Sequence, residues 1–148
     1  MFSLTAEYAL RATVCLAQSH GSSQTTQDIA AATQAPVGYL PKVMQHLGKA
    51  GLVLAWRGKH GGFRLARDPA KITVLDVLNA VDPLRRIKTC PLGISSHSCN
   101  LCPLHQKMDA AMAVVEEGFG QVSLAELLTG TQMPLCETAQ EGLNGAVQ

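Results

Sequence analysis

Apolar positions between residues 25 and 51 recur at helical spacing in two short runs separated by a tight turn. Thr25 and Asp28 match a capping box, so a first helix is expected to begin there and to end ahead of Pro36. A second helix is expected to begin around Val37, with Pro41 in its first turn, where a missing N–H costs little. Its apolar residues fall on one face, namely Leu40, Val43, Met44, Leu47 and Ala50. This pattern predicts a helix-turn-helix.

A β-hairpin with a basic tip is expected directly after the second helix. Val53 to Arg57 is typical of a strand, residues 58–61 (Gly-Lys-His-Gly) of a turn, and Gly62 to Ala66 of a return strand. Trp56 is expected in the core or as a strap beneath this hairpin. An ordinary solvated hairpin would also favour Gly and Lys. Helix, helix and basic ribbon in this order instead predict a winged helix-turn-helix domain, mainly α with a small β-hairpin wing.

Two further helix starts and one long apolar stripe follow the hairpin. Thr73 with Asp76, and Ser123 with Glu126, match capping pairs of short helices. Between them an apolar stripe runs over four helical turns, through Leu104, Met108, Ala111, Met112, Val115 and Phe119. On its residues alone, this helix could fold back on its own domain or pack against a partner.

Charge is distributed unevenly although the formal net charge is only +1. Residues 42–71 carry seven Lys or Arg and one acid, whereas residues 109–148 carry six acids and no Lys or Arg. A local block of positive charge is what a phosphate backbone attracts. Double-stranded DNA is therefore the expected partner. The expected contacts lie on both helices and on the wing: Thr26, Gln27, Val37, Gly38, Tyr39, Lys42, Gln45, Arg57, Lys59, His60 and Arg64. Tyr39 could equally pack against the preceding helix.

Composition narrows the class of protein. The chain has 148 residues, of which 47% are apolar and 16% charged, and this is typical of a globular domain. It has no apolar run of membrane-spanning length, and its first residues lack the pattern of a secretory signal, so a cytoplasmic protein is expected. Phosphate loops and Ser-His-Asp arrangements are missing, and a thiol redox enzyme using Cys99 and Cys102 has no other support. We therefore expect a protein that is not an enzyme.

A cysteine-rich segment precedes the apolar stripe. Cys90, Cys99, Cys102 and His105 are separated by eight, two and two residues. Thiolates and imidazole suit iron–sulfur clusters or zinc. On spacing alone the two are about equally favoured, and unliganded thiols, with or without one disulfide, are a third alternative. Cys15, beside Val14 and Leu16, is expected to be a packing residue instead.

Four segments of this chain resemble a known bacterial family. They are LTAEYALRATVCLA, DIAAATQAPVGYLPKVMQHLGKAGLV, RGKHGGFRLAR and ITVLDVLNAVD. Their order and spacing are similar to those of the winged-helix regulators typified by the iron–sulfur assembly regulator IscR and the nitric-oxide sensor NsrR. The resemblance implies a homodimeric repressor that binds a palindromic operator. It implies no membrane as a partner. It also implies four segments: 1–82 for DNA binding, 83–103 for the cysteine loop, 104–130 for dimerisation, and a tail at 131–148.

The resemblance also implies an iron–sulfur cluster, with [2Fe–2S] preferred over [4Fe–4S] and zinc as the alternative. Cys90 and Cys102 match the outer ligand positions of the family. Cys99 stands closer to Cys102 than the family spacing implies, and His97 lies nearer the middle position. The fourth ligand is expected to be His105 or Glu7, the latter matching an acid of NsrR-like members. Such a ligand would leave the site more labile than four thiolates.

Overall fold

A computed structural model describes residues 2–94 and 100–129 of the chain. The elements, in chain order, are α1 (Leu4–Gln18), α2 (Thr26–Thr33), α3 (Leu40–Lys49), β1 (Val53–Trp56), β2 (Gly62–Leu65), a 3₁₀ turn (Pro69–Lys71), α4 (Val74–Val81), α5 (Pro103–Gln121) and α6 (Leu124–Thr129). The fold is mainly helical with a two-stranded antiparallel hairpin, as the sequence pattern predicted.

Helix α1 is the centre of the packing because one side of it is built from small residues. Ala6, Ala9 and Ala12 are fully buried, and α2, α3, α4 and α6 all contact this helix. Cys15 is buried there too, as expected of a packing residue. The larger side chains of the core come from α1 and from the helices and loops packed around it: Leu16, Ile29, Leu40, Leu47, Leu52, Ile72, Leu78 and Leu124.

Side-chain caps fix the starts of the short helices. Thr25 and Asp28 form a reciprocal capping box at α2, and Thr73 and Asp76 form another at α4. The third predicted pair is also confirmed at α6, where the Ser123 backbone N–H donates to the Glu126 carboxylate over 2.7 Å. Each cap satisfies backbone N–H groups that lack a partner within the helix.

Helix α3 begins at Leu40, three residues later than the sequence pattern predicted. The backbone N–H groups of Tyr39 and Leu40 both donate to the Pro36 carbonyl, which closes a separate turn before the helix. Pro41 has no N–H to donate to the Val37 carbonyl, so the helical ladder cannot extend back to that residue. The expectation for Ala50 was also wrong, because Ala50 is the exposed C-terminal cap of α3.

Strands β1 and β2 form the wing, and a second contact ties it to the body of the domain. Each strand is one residue shorter than predicted. Phe63 exchanges two backbone hydrogen bonds with Gln24, of 2.9 and 2.8 Å, so the wing is joined to the segment before α2. Trp56 was expected in the core or beneath the hairpin, but it is 42% exposed. It lies at the end of β1, where the ribbon has already left the core.

The end of the described chain returns to the helix-turn-helix body. The Val74 N–H donates to the Val122 carbonyl and the Leu124 N–H to the Ile72 carbonyl, both over 2.9 Å. Leu124 is fully buried. By contrast, α5 contains no fully buried residue. No helix in the described ranges is long and apolar enough to cross a bilayer. The four predicted segments stay a prediction, and the tail at 131–148 lies outside the described residues.

Candidate DNA-binding surface and cysteine loop

Helix α3 has a buried apolar face and an exposed polar face. Val43, Met44 and Leu47 are buried against the body, while Lys42 and Gln45 are exposed. Val37 and Gly38 are exposed in the preceding turn, and on α2 Gln27 is exposed and Thr26 half-buried. The predicted helix contacts other than Tyr39 and Thr26 are thus all open to a ligand.

Tyr39 is held against α1 and the core. Its hydroxyl shares a hydrogen bond with the Thr5 hydroxyl of α1, and its ring meets that of Tyr8 edge to face at 5.8 Å between centroids. The side chain is half-buried against the core. Of the two interpretations open for Tyr39, these contacts support packing, although the partners lie on α1 and the expected partner was the preceding helix. This packing fixes the start of α3 on α1.

The wing presents its basic residues to solvent. Arg57, Lys59 and His60 are exposed around a turn closed by a 2.9 Å hydrogen bond from the Gly61 N–H to the Gly58 carbonyl. A Cβ on Gly61 would lie 2.7 Å from the Trp56 carbonyl oxygen, so this turn requires glycine there.

One surface groove joins the wing to α3. Gln45 and Gly48 of α3 line it on one side, and Leu54 and Phe63 of the wing line it on the other. The exposed edge of α3 and the base of the ribbon are therefore neighbours, which is the arrangement that a helix in the major groove with an adjoining wing needs.

An arginine clasp fastens the segment before the cysteines to α5. Arg86 donates two hydrogen bonds to Asp109, of 2.7 and 2.6 Å, and a longer one of 3.3 Å to Glu116. The Ile87 N–H adds a 2.8 Å bond to the same Asp109 carboxylate. The hydrogen bonds from Arg86 hold the pKa of Asp109 below its ordinary value, against an opposing effect of desolvation. No pattern in the sequence predicted this clasp.

The cysteine loop brings two of the predicted ligands together. Cys102 is the N-terminal cap of α5, and its Sγ lies 3.4 Å from His105 Nδ1 one turn later. Ligand atoms bound to one tetrahedral zinc, at about 2.3 Å for sulfur and about 2.0 Å for nitrogen, lie about 3.5 Å apart. The two side chains are within hydrogen-bond distance, and their separation is also compatible with both atoms binding one metal ion.

Among the described residues, neither Cys90 nor Glu7 completes a group of three ligands with that pair. Cys90 is half-buried in the loop, with a turn closed from the Gly93 N–H to its carbonyl over 3.1 Å. Glu7 is exposed on α1 and pairs with Arg11 at 2.8 Å. Cys99 and His97 lie outside the described residues. Among residues 2–94 and 100–129, no three His, Cys, Asp or Glu side chains form a group that could hold a metal ion.

A family model covers nearly the whole chain: the Rrf2 model, described as an iron-dependent transcriptional regulator, matches residues 2–130. The chain belongs to the Rrf2 family. It is thus a DNA-binding transcriptional regulator, and the predicted resemblance to the regulators typified by IscR and NsrR is confirmed.

Individual Rrf2 relatives agree with this assignment. The chain is 32% identical over 130 residues to the HTH-type transcriptional regulator NsrR of Geobacillus kaustophilus, covering 82% of this chain and 85% of the relative. The structure of T. potens IscR matches with a TM-score of 0.75 and 26% identity, over 90% of this chain and 92% of that one. CymR, the global cysteine regulator of B. subtilis, shares the fold with a TM-score of 0.73 at 23% identity, over 88% and 98% of the two chains.

Proposed function

We propose that this Rrf2 protein is a homodimeric repressor whose affinity for a palindromic operator depends on an iron–sulfur cluster at the cysteine loop. The observation that carries the DNA-binding part is the groove shared by α3 and the basic wing. In this proposal, α3 enters the major groove and the wing tip reaches the phosphates or the minor groove. The proposed contacts are Thr26, Gln27, Val37, Gly38, Lys42, Gln45, Arg57, Lys59, His60 and Arg64, with Tyr39 positioning α3.

Removing the charges of the wing tip tests the DNA-binding part. The double variant Arg57→Ala with Lys59→Ala is expected to bind a palindromic duplex, selected from a randomised library, at least tenfold more weakly. Each lost phosphate contact also lowers the slope of log affinity against log salt by about one unit, so the slope should fall by about two. The matched control is Lys107→Ala on α5. Unchanged affinity and slope in the double variant would refute the proposed wing contacts.

The cluster part rests on the ligand set and on the family. Cys102 and His105 are already at metal-ligand separation, and Cys90 lies in a loop that the Arg86 clasp holds beside α5. In the proposal Cys90, Cys99 and Cys102 are the thiolate ligands, and His105 or Glu7, the latter from the same or the partner subunit, is the fourth. When bound, the cluster would supply a site sensitive to redox state, iron or nitric oxide.

Single cysteine variants test the ligands. Cys90→Ala, Cys99→Ala and Cys102→Ala should each strip visible absorption and iron from anaerobically purified protein, whereas Cys136→Ala is the control and should keep both. If Cys99→Ala keeps the full spectrum, the middle ligand is another residue, with His97 the first alternative. The 3.4 Å separation of Cys102 and His105 suits zinc as well, so colourless protein containing zinc would favour a structural metal site.

Coupling between the loop and the DNA-binding surface is expected because the loop connects α4 to α5. In a dimer, a cluster that fixes this connection would also fix the distance between the two α3 helices. A palindrome requires that distance to be about one helical turn of DNA. Typical couplings change affinity by about 5- to 150-fold. Titrating one operator fragment with apo and cluster-loaded protein at one salt concentration should show at least a fivefold difference. Equal affinities would leave the cluster a structural part only.

A further inference from the structure

Arg64 lies over the ring of Trp56 on the face of the wing that points away from the core. The guanidinium carbon of Arg64 is 3.8 Å from the centroid of the indole. Both side chains are exposed, whereas Val53 and Leu65 on the opposite face of the ribbon are buried. The pair therefore does not contribute to the core, and its geometry needs another explanation.

The register of the ribbon makes this contact possible. Trp56 is paired with Gly62, and Arg64 is paired with Leu54, so Arg64 is the diagonal neighbour of Trp56 on the same face. Because its paired residue Gly62 has no side chain to contact the indole, the arginine on the diagonal can extend over the ring. The contact is therefore a product of the strand pairing and not of sequence neighbours.

The stacked arginine keeps its hydrogen-bond donors available. When a guanidinium lies face to face on an aromatic ring, its five N–H groups point outward in its own plane and away from the ring. None of the ion pairs found within residues 2–94 and 100–129 involves Arg64. Stacking also restricts a long side chain that would otherwise lose rotamer freedom on binding a ligand. The indole thus prepares a donor group for an anionic acceptor.

The position of Arg64 along the ribbon indicates which acceptor it meets. It lies two residues from Gly62, which is about 7 Å back from the tip end of β2 at the usual rise of a strand. If the tip residues enter a groove, a side chain this far back lies beside the DNA strand that borders the groove. The acceptor at that place is a backbone phosphate, and arginine suits phosphate because of its planar set of donors.

We propose that Trp56 is a positioning residue that holds the guanidinium of Arg64 ready for one phosphate of the DNA backbone beside the groove entered by the wing tip. This inference rests on the proposed DNA-binding function of the wing. It assigns different roles to two exposed neighbours: Arg64 makes the contact, and Trp56 lowers its entropic cost.

Affinity and salt dependence separate the two roles. Arg64→Ala should weaken binding to the selected palindromic duplex and lower the salt slope by about one unit, equally for fragments that differ in sequence at the wing site. Trp56→Ala should weaken binding about three- to tenfold while leaving the slope unchanged, since the phosphate contact persists without its support. Trp56→Phe should retain most of the affinity, because phenylalanine also accepts a cation on its face.

A double-mutant cycle tests the dependence of one residue on the other. In the Arg64→Ala background, Trp56→Ala should change affinity by less than twofold, since there is no guanidinium left to position. The chain has one tryptophan, so acrylamide quenching of the free protein reports on the stack directly, and Arg64→Ala should increase it. Thermal unfolding of each variant verifies that the wing domain still folds.

The outcomes distinguish this inference from the proposed function. If Arg57→Ala with Lys59→Ala weakens binding but neither Arg64→Ala nor Trp56→Ala does, the wing binds DNA and the inference is refuted. A full effect of Trp56→Ala in the Arg64→Ala background would also overturn it, because Trp56 would then act independently. If the loss of affinity in Arg64→Ala depends on the DNA sequence at the wing site, Arg64 contacts a base edge and not a phosphate. If no wing variant has an effect, the proposed function itself fails.

Discussion

Gly62 occupies a position that no other residue can take without a change of backbone. Its φ is +153°, and a Cβ there would lie 2.6 Å from the carbonyl oxygen of Gln24. That close approach is where Gln24 and Phe63 exchange their two hydrogen bonds. Since the obstacle is backbone on both sides, no side chain can move to relieve it.

Gly62→Ala is therefore expected to destabilise the domain by about 2 kcal/mol or more, through strain at this φ and the loss of the contact to Gln24. For a domain of this size, the unfolding temperature should fall by about 5 °C or more in a thermal scan. The control is Gly38→Ala, where the added Cβ meets no heavy atom within 4 Å and which should unfold within about 1 °C of the parent. A parent-like unfolding temperature for Gly62→Ala would show that the wing is not held at Gln24.

At the scale of elements, the sequence predicts those features that residues close together in the chain determine. The capping pairs Thr25–Asp28 and Thr73–Asp76 are three residues apart, so local pattern is enough to find them. The Arg86–Asp109 clasp joins residues 23 positions apart, and Asp109 is one of six acids in the last forty residues. Nothing local distinguishes that acid from the others. For the same reason the sequence could not reveal the stack of Arg64 on Trp56.

The candidate site divides in the same way. Cys102 and His105 stand one helical turn apart in the sequence, and their side chains do meet. Exposure of Lys42 and Gln45 also followed from helical periodicity. The role of Tyr39 did not, because its partners Thr5 and Tyr8 are more than thirty residues away.

The clasp makes a prediction about the segment between α4 and the cysteines. Asp109→Ala removes the carboxylate that accepts from both Arg86 and the Ile87 N–H and leaves no side-chain acceptor in its place, so the Ile87 amide should exchange with solvent at least tenfold faster. The matched control Glu116→Ala removes only the 3.3 Å contact and should have a smaller effect. Equal protection of Ile87 in the parent and in Asp109→Ala would refute the clasp.

The clasp also predicts a pH dependence with a definite sign. The pKa of Asp109 in the folded chain is lowered by Arg86, so its contribution to stability is complete above the ordinary aspartate pKa of about 3.9. As the pH falls below that value, towards the lowered pKa, the carboxylate is protonated and the contribution is lost. The difference in stability between the parent and Asp109→Asn, measured by urea unfolding, should therefore be constant from pH 8 to about pH 5 and shrink below about pH 4. A constant difference down to pH 2 would contradict the assignment.

At the scale of the whole molecule, α5 has a long apolar surface that the rest of the described chain leaves open. Leu104 is 65% exposed and Met108 48%, whereas Phe119 at the other end packs against Phe2 with the ring centroids 5.4 Å apart. The first half of the stripe is thus the part without cover from its own chain, within the described ranges. Contiguous exposed apolar residues of this kind mark interaction sites, and a second α5 is the partner that the proposed homodimer supplies.

Met108→Asp is therefore expected to disrupt the dimer, because it places a charge in each half of a two-fold apolar interface without a partner for it. Two such charges should raise the dimer dissociation constant at least a hundredfold, which sedimentation velocity measures. The control Ala110→Asp adds the same charge on the opposite side of the helix and should leave the dimer intact. The monomer should still bind a single half-site at high concentration, since α3 and the wing are unaltered, but it should lose the preference for a full palindrome over an isolated half-site. An unchanged dimer in Met108→Asp would show that the stripe is not the dimer interface. A retained preference for the palindrome in a monomeric variant would show that the operator is not bound by two subunits held at a fixed distance.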